Sequence, residues 1–123
     1  MKKILIVDDA VTVRMYHRKL MEALGYQVAE AENGIEALEK MLDENFDLSL
    51  VDVNMPKMDG YRLVEEMRQN DVLMAIPVIM ISTEEEEGDK TKAYMAGANF
   101  YIVKPAKSEE LQDYVSLMVG VDA

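Results

Sequence analysis

The sequence predicts an α/β domain: five parallel strands, each followed by a helix, forming a five-stranded parallel sheet flanked by five helices. Two observations carry that reading. Short apolar runs alternate with amphipathic helical patterns along the whole 123 residues. The strand-like runs are also continuously apolar, which fits strands buried on both faces. "ILIV" (4–7) is the first strand. "VTVRMYHRKLMEAL" (11–24) follows as a helix, with Val13, His17, Leu20 and Leu24 on one face and Gly25 after its last turn. "QVAEA" (27–31) is a weaker strand. Asn33 followed by Glu36 has the spacing of a helix start, opening "GIEALEKML" with Ile35, Leu38 and Leu42 on one stripe.

"LSLV" (48–51) is the third strand, and "YRLVEEMRQN" (61–70) a helix with Leu63, Val64 and Met67 inward. "PVIMIS" (77–82) is the fourth strand, with Pro77 first, where a missing N–H is tolerated. Residues 85–96 make the least amphipathic helix, rich in Glu, Lys and Thr and stopped at Gly97. "FYIV" (100–103) is the fifth strand, and the last helix follows Ser108 with Leu111, Tyr114, Val115 and Met118 at helical spacing. No repeat, linker or low-complexity stretch interrupts the pattern. A single domain over 1–123, with no output domain, is expected.

The chain carries 24 Asp and Glu against 13 Lys and Arg, a formal charge of -11. Such a surface repels phosphate backbones, so nucleic acid is a poor candidate for a partner, while basic proteins and cations suit it. The absence of cysteine excludes disulfides and thiolate metal sites. The apolar run in "MKKILIVDD" stops at two aspartates, short of a signal core of roughly 7–15 residues. No run approaches the roughly 18 apolar residues of a membrane span. A cytoplasmic monomer without membrane contact is expected.

The strands end on chemistry. Strand one runs into Asp8 and Asp9, strand three into Asp52, strand four into Ser82 and strand five into Lys104; only strand two ends without an obvious group. In an open parallel sheet these ends share one edge, where ligands bind at the point of strand-order reversal. Any one such residue is commonplace at the start of a loop. The whole set is not. Two carboxylates about 5 Å apart repel by roughly 3 kcal/mol at an effective dielectric near 20. Three of them call for raised pKa values or a cation, and oxygen ligands alone suit a hard ion such as Mg²⁺. Beside a lysine and a hydroxyl, such a site fits a phosphoryl group, with an aspartate as a competent nucleophile.

The motifs "ILIVDD", "LVDVNMPKMDG", "PVIMIST" and "AGANFYIVKP" stand in the order and at the intervals of one family. From Lys2 to about Met118 the chain resembles a receiver domain of the bacterial response regulators, in particular the stand-alone, CheY-like chemotaxis type. That resemblance, not the residue pattern, implies strand order 2-1-3-4-5 in a flavodoxin/CheY-like doubly wound fold. It implies that Asp52 is the phosphoacceptor, modified by a histidine kinase or phosphotransfer domain. Asp9 and Asp52 would ligate Mg²⁺ directly, Asp8 through water, and the Asn54 backbone carbonyl would complete the protein ligands. Lys104 would pair with phosphoryl oxygens, Ser82 would swing toward them, and Tyr101 would rotate into the space vacated. Asn54 and Glu84 would tune hydrolysis of the aspartyl phosphate, and the Lys104–Pro105 bond would be cis. The protein would be a signalling switch rather than an enzyme on external substrates. Its output would be a protein such as a flagellar motor switch component, or alternatively the role of a phosphate sink or a regulator of another kinase.

Three features depart from the family pattern. Ser82 stands where Thr is commoner, and Ala106 follows Pro105 where an aromatic residue is usual, thinning the packing under the last helix. Glu84 to Glu87 make the start of the fourth helix strongly acidic, on a segment that usually belongs to the output surface. The fourth helix, poorly packed, would join Ser82 and Tyr101 in the bistable element. His17 is expected to pack on the first helix. Most of the eleven methionines fall at core periods. Met55 and Met58, in the loop after Asp52, are candidates for an adaptable contact with a phosphodonor. A rival reading is an Asp-nucleophile phosphatase of the haloacid-dehalogenase kind, but Asn54 stands where that chemistry needs a second Asp. A flavin site is disfavoured, because "DDAVTV" (8–13) puts two negative charges where a phosphate would sit.

Overall fold

Local signals set the elements in the computed structural model, which describes residues 1–84 and 86–120. Strands β1 (Lys3–Val7), β2 (Gln27–Ala31), β3 (Leu48–Asp52), β4 (Val78–Ser82) and β5 (Phe100–Val103) alternate with helices. The helices are α1 (Val11–Ala23), α2 (Gly34–Asp43), α3 (Gly60–Arg68), α4 (Glu87–Ala96) and α5 (Ser108–Val119). All strand pairs are parallel, in the order β2-β1-β3-β4-β5. The Asn33 side chain caps α2 by accepting the Glu36 N–H at 2.9 Å, as its spacing predicts. Asp59 caps α3 in the same way through the Arg62 N–H. Helix α5 starts at Ser108 itself, with Lys107 as a cap residue that makes no side-chain bond. Glu85 lies outside the described residues, and α4 begins two positions later than the sequence pattern suggests.

Successive strand residues face opposite sides, which divides the core in two. Ile4, Ile6, Leu48, Leu50, Ile79 and Ile81 pack with Met21 of α1 and with Leu111 and Val115 of α5. Leu5, Val7, Val51, Val78 and Met80 pack with Ala37 and Met41 of α2, with Leu63, Val64 and Met67 of α3, and with Ala93 of α4. The inward residues expected for α3 and α5 face the core, although Tyr114 and Met118 are only partly buried. Ala93 is the single buried residue of α4, so the expected thin packing of this helix is present.

Two helices turn a different face inward from the one their largest apolar residues suggest. In α1 the buried stripe is Arg14, His17 and Met21, with Val13, Leu20 and Leu24 beside it only partly buried. In α2 it is Gly34, Ala37 and Met41, leaving Ile35 44% and Leu42 59% exposed. Close approach decides α2: a Cβ on Gly34 would fall 2.7 Å from the Met58 Cγ, so only glycine admits the loop here. Met55 and Met58 are partly buried, each with one side packed against the core.

At the edge of the sheet where the strands begin, Arg68 ties the end of α3 to the loop before β4 and the turn before β5. Its guanidinium donates to the carbonyls of Gly97, Met74 and Ile76 and to Asn99 Oδ1. No helix among the described residues is long and apolar enough to cross a membrane.

Candidate functional site

Strand register assembles the opposite edge. Val7 is level with Val51, so Asp8 emerges beside Asp52. Asp52 is level with Ile81 and Ser82 with Val103, which puts Ser82 one step and Lys104 two steps further along the same edge. Strand β1 lies between β2 and β3, the reversal point at which α/β sheets bind ligands. The five residues that the strand-end pattern singles out, Asp8, Asp9, Asp52, Ser82 and Lys104, therefore converge.

Asp52 is the last residue of a strand buried along its whole length, and it is itself only 6% exposed. Lys104 Nζ donates to Asp8 Oδ2 at 2.8 Å and to Asp52 Oδ1 at 3.1 Å. Carboxylate oxygens of Asp8, Asp9 and Asp52 lie within 4.8 Å of one another, with Asp9 exposed and the other two buried. Burial and the Asp8 charge push the Asp52 carboxyl up to about 6, because together with Asp9 they outweigh Lys104. Burial works against the Lys104 ammonium, yet its hydrogen bonds to Asp8 and Asp52 hold it above its ordinary value. The three carboxylates and one ammonium leave a net negative cluster of oxygen donors, without nitrogen or sulfur ligands. That donor set fits a small hard dication.

The loop after Asp52 is held against it. Gly60 N–H donates to the Val53 carbonyl at 2.8 Å, and a Cβ at Gly60 would lie 2.3 Å from the Asp52 carbonyl oxygen. Glycine is thus required for the chain to return so close to the phosphoacceptor candidate.

A second cluster adjoins the first. Ser82 is fully buried, and its Oγ accepts the Glu84 N–H at 3.1 Å. Tyr101 donates its hydroxyl to the Glu84 carbonyl at 2.6 Å, and Asn54 Nδ2 donates to Glu84 Oε1 at 3.3 Å. Glu84 therefore joins all three of Ser82, Tyr101 and Asn54. Tyr101 is half-buried, and burial raises its phenol. The Lys104–Pro105 bond is cis, and the Lys104 N–H donates to the Ser82 carbonyl at 2.7 Å.

His17 is buried on α1 as expected, and burial lowers its imidazole to about 4 against the pull of Asp8. Ala106 is buried, with its carbonyl accepting the Tyr16 hydroxyl. A cleft of about 360 Å³ lies between Tyr16, His17, Thr83, Pro105 and Ala106.

Sequence reading misses two residues here. Arg14 is buried behind Asp8, and Glu30 of β2 holds it. The available signal was the spacing of Arg14, His17 and Met21, which puts an arginine on the inward stripe of α1.

The comparisons agree with this geometry. The family model described as the response regulator receiver domain matches residues 4–116. The chain is 41% identical over 123 residues to chemotaxis protein CheY1 of Helicobacter pylori, covering 98% of both chains. Its structure is similar to chemotaxis protein CheY4 of Vibrio cholerae, with a TM-score of 0.90, 33% identity and coverage of 96% and 98% of the two chains. It is also similar to the receiver domain of a sensor histidine kinase from Pseudomonas aeruginosa, solved with a magnesium ion coordinated in its active site cleft. That likeness has a TM-score of 0.89 at 29% identity, covering 97% of this chain and 98% of that one. Fold, strand order and the acidic edge of the sheet thus coincide with a match over nearly the whole chain, and the chain belongs to the response regulator receiver domains of two-component signalling.

Proposed function

We propose that this receiver is a phosphorylation-activated switch whose phosphoacceptor is Asp52. The observation that carries the reading is the pairing of buried Asp52 with Lys104, beside Asp8 and Asp9. A phosphohistidine on a histidine kinase or phosphotransfer domain is the donor. An Asp52 carboxylate oxygen attacks phosphorus, the P–N bond breaks, and the imidazole leaves with its electron pair. Asp9, Asp52 and the Asn54 carbonyl would hold Mg²⁺, with Asp8 assisting through water. When bound, the ion neutralises charge on the phosphoryl oxygens. Lys104 supplies the cation on the other side, and its two carboxylate bonds orient it before the donor arrives.

The output follows from Ser82 and Tyr101. A phosphoryl group on Asp52 offers Ser82 Oγ a stronger partner than the Glu84 N–H. Loss of that bond frees the segment that Tyr101 holds through the Glu84 carbonyl, and α4, whose single buried residue is Ala93, moves with it. The changed face binds a protein, and a flagellar motor switch component fits the chemotaxis names of the two CheY relatives. Asn54 donates to Glu84 and cannot give and recover a proton as a phosphatase acid would, which disfavours turnover of external substrates.

Incubation with acetyl phosphate and Mg²⁺, followed by intact-mass measurement, tests the reading. One added phosphoryl group is expected, and none in Asp52→Asn. A wild-type protein that stays unmodified overturns it.

A further inference from the structure

We propose that Arg14 is a positioning residue for the carboxylate pair Asp8 and Asp9, and that Glu30 sets its orientation. The inference rests on the Mg²⁺ reading of that pair.

Arg14 is only 7% exposed, which is unusual for a guanidinium and means that its partners are fixed. Its Nη1 donates to the Asp8 backbone carbonyl at 2.6 Å, and its Nε donates to Glu30 Oε1 at 2.9 Å. The planar fork makes these two bonds interdependent: holding one direction fixes the other. Glu30 is itself held on two sides, through its second carboxylate oxygen by Arg18 and through its carbonyl by Lys40. Strand β2, which ends without a reactive group, thus contributes to the site from behind.

The effect on the site follows from what remains of Asp8. Its N–H donates to the Ala31 carbonyl, Oδ1 accepts the Ala10 N–H, and Oδ2 accepts from Lys104. With the Arg14 bond, all four polar atoms of Asp8 are engaged. The Asp8–Asp9 peptide is then fixed at its carbonyl, which aims the exposed Asp9 carboxylate at Asp52. Without Arg14 that peptide can tilt, and Asp9 must be ordered by the ion itself. Residues that orient metal ligands from behind typically change affinity by about 10–100-fold when removed.

Calorimetric Mg²⁺ titration of wild type, Arg14→Met, Glu30→Gln and Arg68→Met tests this. Arg68 is also a partly buried arginine on several carbonyls, but at the opposite edge of the sheet, so its variant reports destabilisation alone. Arg14→Met is expected to raise the Mg²⁺ dissociation constant about tenfold or more, Glu30→Gln by less, and Arg68→Met by under twofold. Arg14→Met within twofold of wild type, or Arg68→Met matching it, overturns the inference. Should Arg14→Met not fold, Glu30→Gln decides by the same twofold limit. A wild-type protein that takes up no Mg²⁺ fails the functional reading itself, a different result from variants that bind as wild type does.

Discussion

Lys104 and Asp52, 52 positions apart in the chain, meet as an ion pair 3.1 Å long at the C-terminal edge of the sheet. The same ammonium bonds Asp8, so one cation moderates two buried carboxylates. Lys104→Met removes it and leaves both uncompensated. A loss of about 3 kcal/mol in folding stability is expected at pH 7 without Mg²⁺. The loss should shrink at pH 5, where Asp52 is protonated. Urea denaturation at the two pH values checks this, and equal losses at both would contradict the pairing.

Asp52 and His17 give stability opposite dependences on pH. The Asp52 carboxyl is raised from 3.8 to about 6 on folding, so it stabilises the fold below about pH 4 and loses that contribution as pH rises through 6. The His17 imidazole is lowered from 6.5 to about 4, so its contribution is present above 6.5 and is lost as pH falls through 4. Asp52→Asn should be more stable than wild type at pH 7 by on the order of 2–3 kcal/mol in Mg²⁺-free buffer. Its stability should then fall from pH 6.5 to 4, with the His17 limb no longer masked. A variant that is no more stable at pH 7 would refute the raised carboxyl.

Mg²⁺ should stabilise the wild-type fold by about 2.7 kcal/mol at a hundred times its dissociation constant. Asp9→Ala should abolish the effect while changing metal-free stability little, because Asp9 is exposed. Thermal melts with and without Mg²⁺ measure both. A rise that persists in Asp9→Ala would remove Asp9 from the ligand set.

Gly60→Ala forces a methyl group against the Asp52 carbonyl oxygen, where 2.3 Å is available. The loop or the end of β3 must yield. A destabilisation of about 2–4 kcal/mol is expected, and the rate of phosphorylation by acetyl phosphate should fall with it. An alanine variant with wild-type stability and rate would show that the loop relaxes freely.

The order of elements and the residues that end strands one, three, four and five were legible in the sequence. Continuous apolar runs end abruptly where the backbone leaves the sheet, and position along the chain is enough to see that. Apart from His17, the inward faces of α1 and α2 were not legible. Burial there follows hydrogen bonding and close approach rather than hydrophobicity: Arg14 is buried because Glu30 and the Asp8 carbonyl accept from it, and Ile35 yields to Gly34 because Met58 occupies the space. Glu30 was missed for a related reason. It acts from within its strand, through a partner on a helix, and no linear motif marks such a contact.

Glu84 holds Ser82 by its N–H, Tyr101 by its carbonyl and Asn54 by its carboxylate. On the proposed reading, the first two govern the shape presented to a partner, and Asn54 governs how long the phosphoryl group lasts. Timing and output therefore meet at one residue but through different atoms. A change of side chain at position 84 removes the carboxylate bond to Asn54 and leaves the two backbone bonds in place, so the duration of the signal can change there while the contacts that shape its output persist.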